Sequence, residues 1–208
     1  MKAILISDRP KWCALMMNGD KSVEVRKGTA LYKATKKLID EYGYADFYVY
    51  CTKEEELFYS VDAQKWHTAK NRKNVRRLSN GVVKFKFRCY KVEEIKLNLV
   101  MRFFTKSMIE NEITKFSCLS CDELLDYLQH KTSTAIHISD LEIFDRPREI
   151  SEFYKGFRNQ YYKREFGFDT FIDKFGVMVQ PTKNGYEYTL KLTKAPQSWC
   201  YVESEVLL

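Results

Sequence analysis

Hydrophobic and polar positions alternate along several short segments of the chain, which predicts β-strands with one buried and one exposed face. The clearest alternation runs over 82–90, where apolar side chains share one face and mainly basic side chains the other. In 135–144 the apolar parity changes across Ser139-Asp140, which predicts a bulge or bend. The predicted strands are 3–7, 22–27, 46–52, 82–90, 135–144, 186–193 and 199–203.

Helix signals lie between these segments. Pro10 suits a first helical turn and Gly19 suits the left-handed position after a last one, which predicts a short helix over 10–18. Capping boxes at Ser107/Glu110 and Ser120/Glu123 mark two further helix starts. The other predicted helices are 29–42, 53–78 with a break, 106–115 and 122–130.

Length and composition indicate one α+β domain spanning 1–208. A chain of 208 residues with 45% hydrophobic residues can bury one core. We expect insertions at 53–80, mostly helical, and at 155–185. No apolar run approaches the roughly 18 residues of a membrane span, so we expect a cytoplasmic protein with no membrane partner. The sequence indicates neither a cofactor nor a metal site, because Cys118 and Cys121 lack a second cysteine pair at finger spacing.

The positive charge is local. The net charge is +7, yet residues 65–91 carry ten basic and no acidic side chains. The remaining 25 basic residues face 28 acidic ones, so the rest of the chain is net negative by three. A local positive field attracts polyanions, which points to nucleic acid or an acidic protein surface, while a merely solvated basic face stays an alternative.

A compact polar cluster follows the first predicted helix. Glu24 and Arg26 share one face of a predicted strand, with Lys21 at its entry turn. A carboxylate beside two cations can bind a polar ligand, although a surface ion pair worth under about 1 kcal/mol would look the same in sequence. The residues predicted to bind nucleic acid are Arg9, Lys11, Lys21, Glu24, Arg26, Lys27, Arg76, Arg77, Lys84, Lys86 and Arg88.

Several motifs along the chain form a familiar set. They are Ile4-Leu5-Ile6-Ser7-x-Arg9-Pro10-Lys11-Trp12, Gly19-x-Lys21-Ser22-x-Glu24-x-Arg26-Lys27, Cys118-Leu119-Ser120-x-x-Glu123-Leu124, His137-Ile138-Ser139-Asp140-Leu141, Asp145-x-Pro147 and Ala195-Pro196-Gln197-Ser198-Trp199-Cys200-Tyr201-Val202. In these motifs the chain resembles ASCH domains, a branch of the PUA-like folds, in a bacterial and phage subgroup. The resemblance covers about 3–52, 81–153 and 190–203.

The resemblance implies a PUA-like mixed β-barrel with helices at its ends. It also implies binding of RNA or a nucleotide in a cleft beside the first helix, with Lys21, Glu24 and Arg26 at its lip. Single-stranded RNA is favoured over duplex DNA because no major-groove reader is apparent, and single-stranded DNA stays open. The strand bearing Lys84, Lys86 and Arg88 would extend this surface.

Two alternatives stay open. Some ASCH-like proteins are amidohydrolases that deacylate acetylcytidine with a lysine, a threonine and a glutamate. Lys21 matches that lysine, but Glu24 stands where the threonine is expected, and the catalytic glutamate has only positional candidates (Glu93, Glu94, Glu110). Lys21 and Glu24 are then the catalytic candidates, although we expect a binding protein and not an enzyme. The other alternative is a phage-type accessory protein that binds an acidic protein partner.

Overall fold

The computed structural model describes residues 2–53, 57–60, 65–68, 76–77, 80–95, 113–129, 132–157, 177–182 and 185–203. Its helices are α1 (Pro10–Met17), α2 (Ala30–Tyr42), α3 (Ile113–Ser117) and α4 (Cys121–Leu128). Its strands are β1 (Lys2–Asp8), β2 (Val23–Lys27), β3 (Ala45–Cys51), β4 (Leu57–Ser60), β5 (Lys65–Thr68), β6 (Arg76–Arg77), β7 (Val82–Cys89), β8 (Val92–Ile95), β9 (Ser133–His137), β10 (Ser139–Arg148), β11 (Tyr154–Phe157), β12 (Val177–Thr182), β13 (Gly185–Lys191) and β14 (Trp199–Glu203). One turn of 3-10 helix spans Ile150–Glu152.

The centre of the α+β fold is a five-stranded mixed sheet of order β10-β7-β3-β1-β14. The neighbours β1 and β3 run parallel, and the other pairs run antiparallel. Parallel neighbours need a long crossover, which here contains α1, β2 and α2. Three three-stranded sheets complete the described part: β2-β9-β8, β11-β13-β12 and β5-β4-β6. Among the described strands, none of these sheets closes into the predicted barrel.

Apolar clusters cover both faces of the central sheet. On one face Phe47 and Phe87 stack with ring centroids 4.9 Å apart, in a cluster that includes α1 and α2 side chains. On the opposite face Tyr48 packs edge-on against Phe153. A third cluster joins β2, β8 and β9 to α4 through Leu124 and Leu128. Burying such side chains supplies the main driving force for the fold.

Most predicted elements are confirmed. The pattern between Pro10 and Gly19 forms α1, and Gly19 adopts the expected left-handed conformation with φ +83°. The predicted bend near Ser139-Asp140 separates β9 from β10, and Asp140 has φ +46°. The capping box of Ser120 and Glu123 begins α4. The second capping box, at Ser107/Glu110, lies outside the described residues.

The helix predicted over 53–78 is wrong where the structure describes that segment. Three short strands, β4, β5 and β6, pair antiparallel there, with Tyr59 opposite both Trp66 and Arg76. Aromatic residues such as Phe58, Tyr59 and Trp66 favour strands, and this preference prevails over that of helix-favouring residues such as Lys65. Among the described helices, none has the length and apolar character needed to span a membrane.

Candidate functional site

The turn after α1 places Lys21 inside the protein. Pro10 occupies the first turn of the helix, and the left-handed Gly19 ends the following turn. The backbone amide of Lys21 then donates to the carbonyl of Leu15 at 3.0 Å, which folds the chain back against the helix. Lys21 is 3% exposed as a result. A turn between a helix and a strand thus buries a lysine side chain that the sequence pattern placed only at an entry turn.

Glu24 joins Lys21 and Arg26 in a buried ion network. Arg26 Nε lies 2.6 Å from Glu24 Oε1, and Lys21 Nζ lies 3.2 Å from Glu24 Oε2. Lys21 Nζ also donates to the carbonyl oxygen of Ser117 at 2.8 Å. Glu24 is 5% exposed, so this is no surface ion pair. Carboxylate and cations are rarely buried together unless they satisfy each other, as they do here.

Asp8, at the end of β1, is a fourth member that the sequence interpretation missed. Its Oδ2 lies 3.1 Å from Arg26 Nη2, and its Oδ1 accepts the backbone N–H of Arg9 at 3.0 Å. Arg26 Nη2 also donates to the carbonyl of Ser7 at 2.9 Å. The one available signal was an acidic residue two positions after the apolar run from Ala3 to Ile6.

The network shifts the pKa values of its two carboxyl groups in opposite directions. Burial would raise the pKa of Glu24, but the charges of Lys21 and Arg26 outweigh burial and lower it below the usual 4.5. Burial also acts on Asp8, and together with the charge of Glu24 it raises the pKa of Asp8 from 3.8 to about 7. For Arg26, burial opposes the charged form, but Glu24 and Asp8 raise its pKa.

These four residues line a cleft of about 450 Å³. Trp12 of α1 and Tyr127 of α4 line it, as do Arg9, Thr52 and Gln197. A second depression of about 530 Å³ runs along the exposed surface of α2, but a single helix lines it. Because buried charge and aromatic rings meet only in the first of these two cavities, we take that cleft as the candidate site.

Cations and aromatic rings are close together at the mouth of the cleft. Lys11 Nζ lies 4.6 Å from the centroid of the Trp12 ring, and Lys21 Nζ lies 5.1 Å from it on the inner side. Lys27 Nζ lies 4.8 Å from the centroid of the Tyr127 ring. Arg9, Lys11 and Lys27 are exposed. These residues form the rim of the cleft and can meet phosphate groups, while the rings can stack on a base.

The cations of β7 lie elsewhere. Phe85 and Phe87 pack on the face of the central sheet that carries α1 and α2. Lys86 therefore points to the opposite face, where its cross-strand neighbour Tyr48 packs. The structure does not bring the β7 cations into the cleft.

Carboxylates already neutralise part of this basic strand. Lys86 Nζ lies 3.0 Å from Glu142 Oε2, and Arg88 Nε lies 3.2 Å from Asp46 Oδ1. Lys84, predicted to be displayed with them, is only 7% exposed because β3 and β7 are irregularly paired next to it, between Val49 and Tyr50. The predicted cations Arg76 and Arg77 form β6, which pairs with β4.

The structure describes two of the three positional candidates for a catalytic glutamate, and neither of them lines the cleft. Glu93 lies 2.5 Å from His137 Nε2 and 2.9 Å from Lys91 Nζ, on β8. Of the described residues, neither Glu93 nor Glu94 lines the cleft, and Glu110 falls outside the described part. Nor do three His, Cys, Asp or Glu side chains come together as a metal site within that part of the chain.

Comparison with known proteins returns ASCH proteins among solved structures. An ASCH protein of Zymomonas mobilis has a TM-score of 0.47 and 14% identity, with 97% of this chain and 88% of that chain covered. A single-residue variant of it has a TM-score of 0.49 and 14% identity, covering 98% and 92%. The N-terminal domain of Staphylothermus marinus McrB has a TM-score of 0.37 and 8% identity, covering 71% and 76%.

No family model matches the sequence. No curated protein matches it either. The solved ASCH structures align with nearly the whole chain. Identity this low, with TM-scores below 0.5, leaves ligand and activity to be argued from the residues of this chain.

Proposed function

We propose that this protein binds RNA or a nucleotide, with one nucleotide unit in the cleft between α1 and α4. The observation that carries the proposal is the buried network of Asp8, Lys21, Glu24 and Arg26, which lines a cleft with aromatic walls. A volume of about 450 Å³ lies within the range of roughly 300–1,000 Å³ that small-molecule sites occupy.

A purely structural role explains this network less well. Removing four charged groups from water is costly, and well-packed apolar residues would stabilise a core equally or better. Charged groups held in a cleft with strongly shifted pKa values are typical of functional sites. The shifts of Asp8 and Glu24 in opposite directions fit that pattern.

The contacts assign different roles to the members. Each oxygen of Glu24 already faces a cation, so Glu24 positions Lys21 and Arg26 instead of meeting the ligand itself. Trp12 and Tyr127 supply surfaces on which a base can stack. Arg9 and Lys11 at the rim supply charge for phosphate groups.

Binding is better supported than amide hydrolysis by Lys21. A lysine nucleophile or base must be neutral, whereas Lys21 Nζ lies between the Glu24 carboxylate and the Ser117 carbonyl oxygen. Against the effect of burial, the charge of Lys21 helps to lower the pKa of Glu24, and the two groups lie 3.2 Å apart as an ion pair. We therefore assign Lys21 to binding.

The test is fluorescence anisotropy of a labelled single-stranded RNA, with DNA of the same sequence beside it, at about 50 mM and about 200 mM salt. Trp12→Ala removes a stacking surface and keeps all four residues of the buried network, and we expect affinity to fall at least about fivefold. Lys37→Ala, on the exposed face of α2, is the matched control and should bind as the wild type does. Absence of RNA, DNA and mononucleotide binding at low salt would refute the proposal.

A further inference from the structure

Three buried polar atoms of cleft-lining residues have no hydrogen-bond partner. Among the described residues, four buried side-chain nitrogen or oxygen atoms lack one, and three of these, Asp8 Oδ2, Arg26 Nε and Thr52 Oγ1, belong to residues that line the cleft. Arg26 Nε faces Glu24 Oε1 at 2.6 Å, which leaves the two oxygens to be explained. Buried polar groups are nearly always hydrogen-bonded, so each exception calls for an explanation. Both atoms occupying one cleft suggests that a ligand supplies the partners.

The backbones of Asp8 and Thr52 lie next to each other. Asp8 ends β1 and Thr52 follows β3, its parallel neighbour, and the Thr52 amide donates to the Asp8 carbonyl at 2.8 Å. Asp8 is 6% exposed. Although Arg26 Nη2 lies 3.1 Å from Asp8 Oδ2, its hydrogen bond goes to the Ser7 carbonyl. A lone pair of Asp8 Oδ2 therefore remains for a donor from the ligand.

A carboxylate oxygen and a hydroxyl group fit a nucleobase whose edge carries an N–H donor next to a hydrogen-bond acceptor. Cytosine and adenine present such an edge, with an exocyclic amino group beside a ring nitrogen, and acidic side chains accept from the cytosine amino group. In uracil and hypoxanthine a carbonyl oxygen replaces the amino group. That oxygen would face the carboxylate, and no hydrogen bond would form between two acceptors.

We propose that Asp8 and Thr52 contact the Watson–Crick edge of the bound base and select amino-bearing bases over their carbonyl counterparts. Asp8 Oδ2 accepts from the amino group, and the Thr52 hydroxyl donates to the neighbouring ring nitrogen. The inference rests on the proposed function, since it names the base that the same cleft accepts.

Proton uptake by Asp8 gives an independent readout. Protonation removes acceptor capacity from Asp8, so affinity for an amino base should rise with pH as the carboxyl group ionises. With the pKa of Asp8 near 7, the ionised fraction grows about tenfold between about pH 6 and about pH 8. The charged and titratable groups that face Asp8 are Glu24 and Arg26 of β2, Lys21 of the turn after α1, Tyr127 of α4, and Cys13 of α1.

The experiment titrates labelled RNA pentamers of cytidine, uridine, adenosine and inosine at about pH 6 and about pH 8. Their phosphodiesters do not titrate in this range. The wild type should prefer the amino base at least about fivefold in one or both pairs. Thr52→Val should weaken amino-base binding about tenfold and spare the carbonyl base. Asp8→Asn should abolish both the preference and the pH dependence, and circular dichroism checks that both variants fold.

The outcomes separate this inference from the proposed function. Suppose that binding depends on Trp12 but is equally tight for cytidine and uridine pentamers and for adenosine and inosine pentamers. This result would overturn the inference and leave the proposed function standing. A preference that survives in both the Asp8 and the Thr52 variants would also overturn it. If no pentamer binds at either pH, the inference and the function it rests on both fail.

Discussion

Replacing Asp8 by asparagine should remove much of the pH dependence of the protein's stability between about pH 5 and about pH 8. Asp8 is 6% exposed, and in the folded protein its pKa rises to about 7 from an ordinary value of 3.8. Between these values the folded state holds a proton that the unfolded state has released. Unfolding then releases a proton, so the free energy of unfolding falls as pH rises and becomes level above about 7.

The size of the effect follows from the two pKa values. Asp8 ionises less readily in the folded protein than in the unfolded chain, so its ionisation lowers the free energy of unfolding. This lowering is roughly 2–3 kcal/mol larger at pH 8 than at pH 5. Asparagine keeps the shape of the side chain and cannot ionise. The stability of Asp8→Asn relative to the wild type should therefore improve by about that amount across the same interval. The opposite titration of Glu24 lies below pH 4.5 and does not overlap.

Urea denaturation followed by far-UV circular dichroism, at four pH values from about 5 to about 8, measures this difference. Asp126→Asn is the matched control, because Asp126 is an exposed carboxylate on α4. Its stability relative to the wild type should stay within about 0.5 kcal/mol at every pH. The argument is refuted if the free energies of unfolding of Asp8→Asn and the wild type differ by the same amount at every pH. That result would mean that Asp8 is ionised in the folded protein throughout this interval.

Three further changes test the remaining contacts. Glu24→Gln leaves the buried Lys21 without its carboxylate partner and Arg26 with Asp8 alone. It should cost about 3–5 kcal/mol in urea denaturation, and a loss below about 1 kcal/mol would argue against a buried network. Ser120→Ala removes the cap of α4 and should cost about 1 kcal/mol, whereas an unchanged midpoint would speak against that cap. The double variant Lys86→Ala/Arg88→Ala should bind RNA within about twofold of the wild type by anisotropy, because both cations pair with carboxylates on the far face of the sheet. A loss equal to that of Trp12→Ala would instead place those cations on the path of the RNA.

The two-residue repeat of side chains along a β-strand explains why part of the site could be predicted from the sequence. Glu24 and Arg26 were assigned to one strand face by alternation alone, and the structure confirms that they meet. The position of Lys21 followed from the helix-ending Gly19. These features depend on residues a few positions apart, where backbone geometry leaves few choices.

The missed features depend on contacts between distant segments. Asp8 reaches Arg26 only because β1 and β2 meet across the cleft, which no local pattern encodes. The charge count made the β7 strand look like a free basic surface, but Asp46 and Glu142 come from its neighbours β3 and β10. Composition counts charges, whereas sheet pairing determines which of them are neutralised.

Affinity and selectivity should therefore come from different parts of the cleft. Lys21 and Arg26 are already bound to Glu24 and to backbone carbonyls, so they add little new attraction for a phosphate. Phosphate attraction falls to the rim, where Arg9 and Lys11 are exposed. Each phosphate contact with a single strand contributes a slope of roughly −0.7 to the plot of log affinity against log salt, so two contacts predict a slope of about −1.4. Discrimination between bases arises in the buried part of the cleft, where salt screens little, and it should persist at salt concentrations that weaken overall binding.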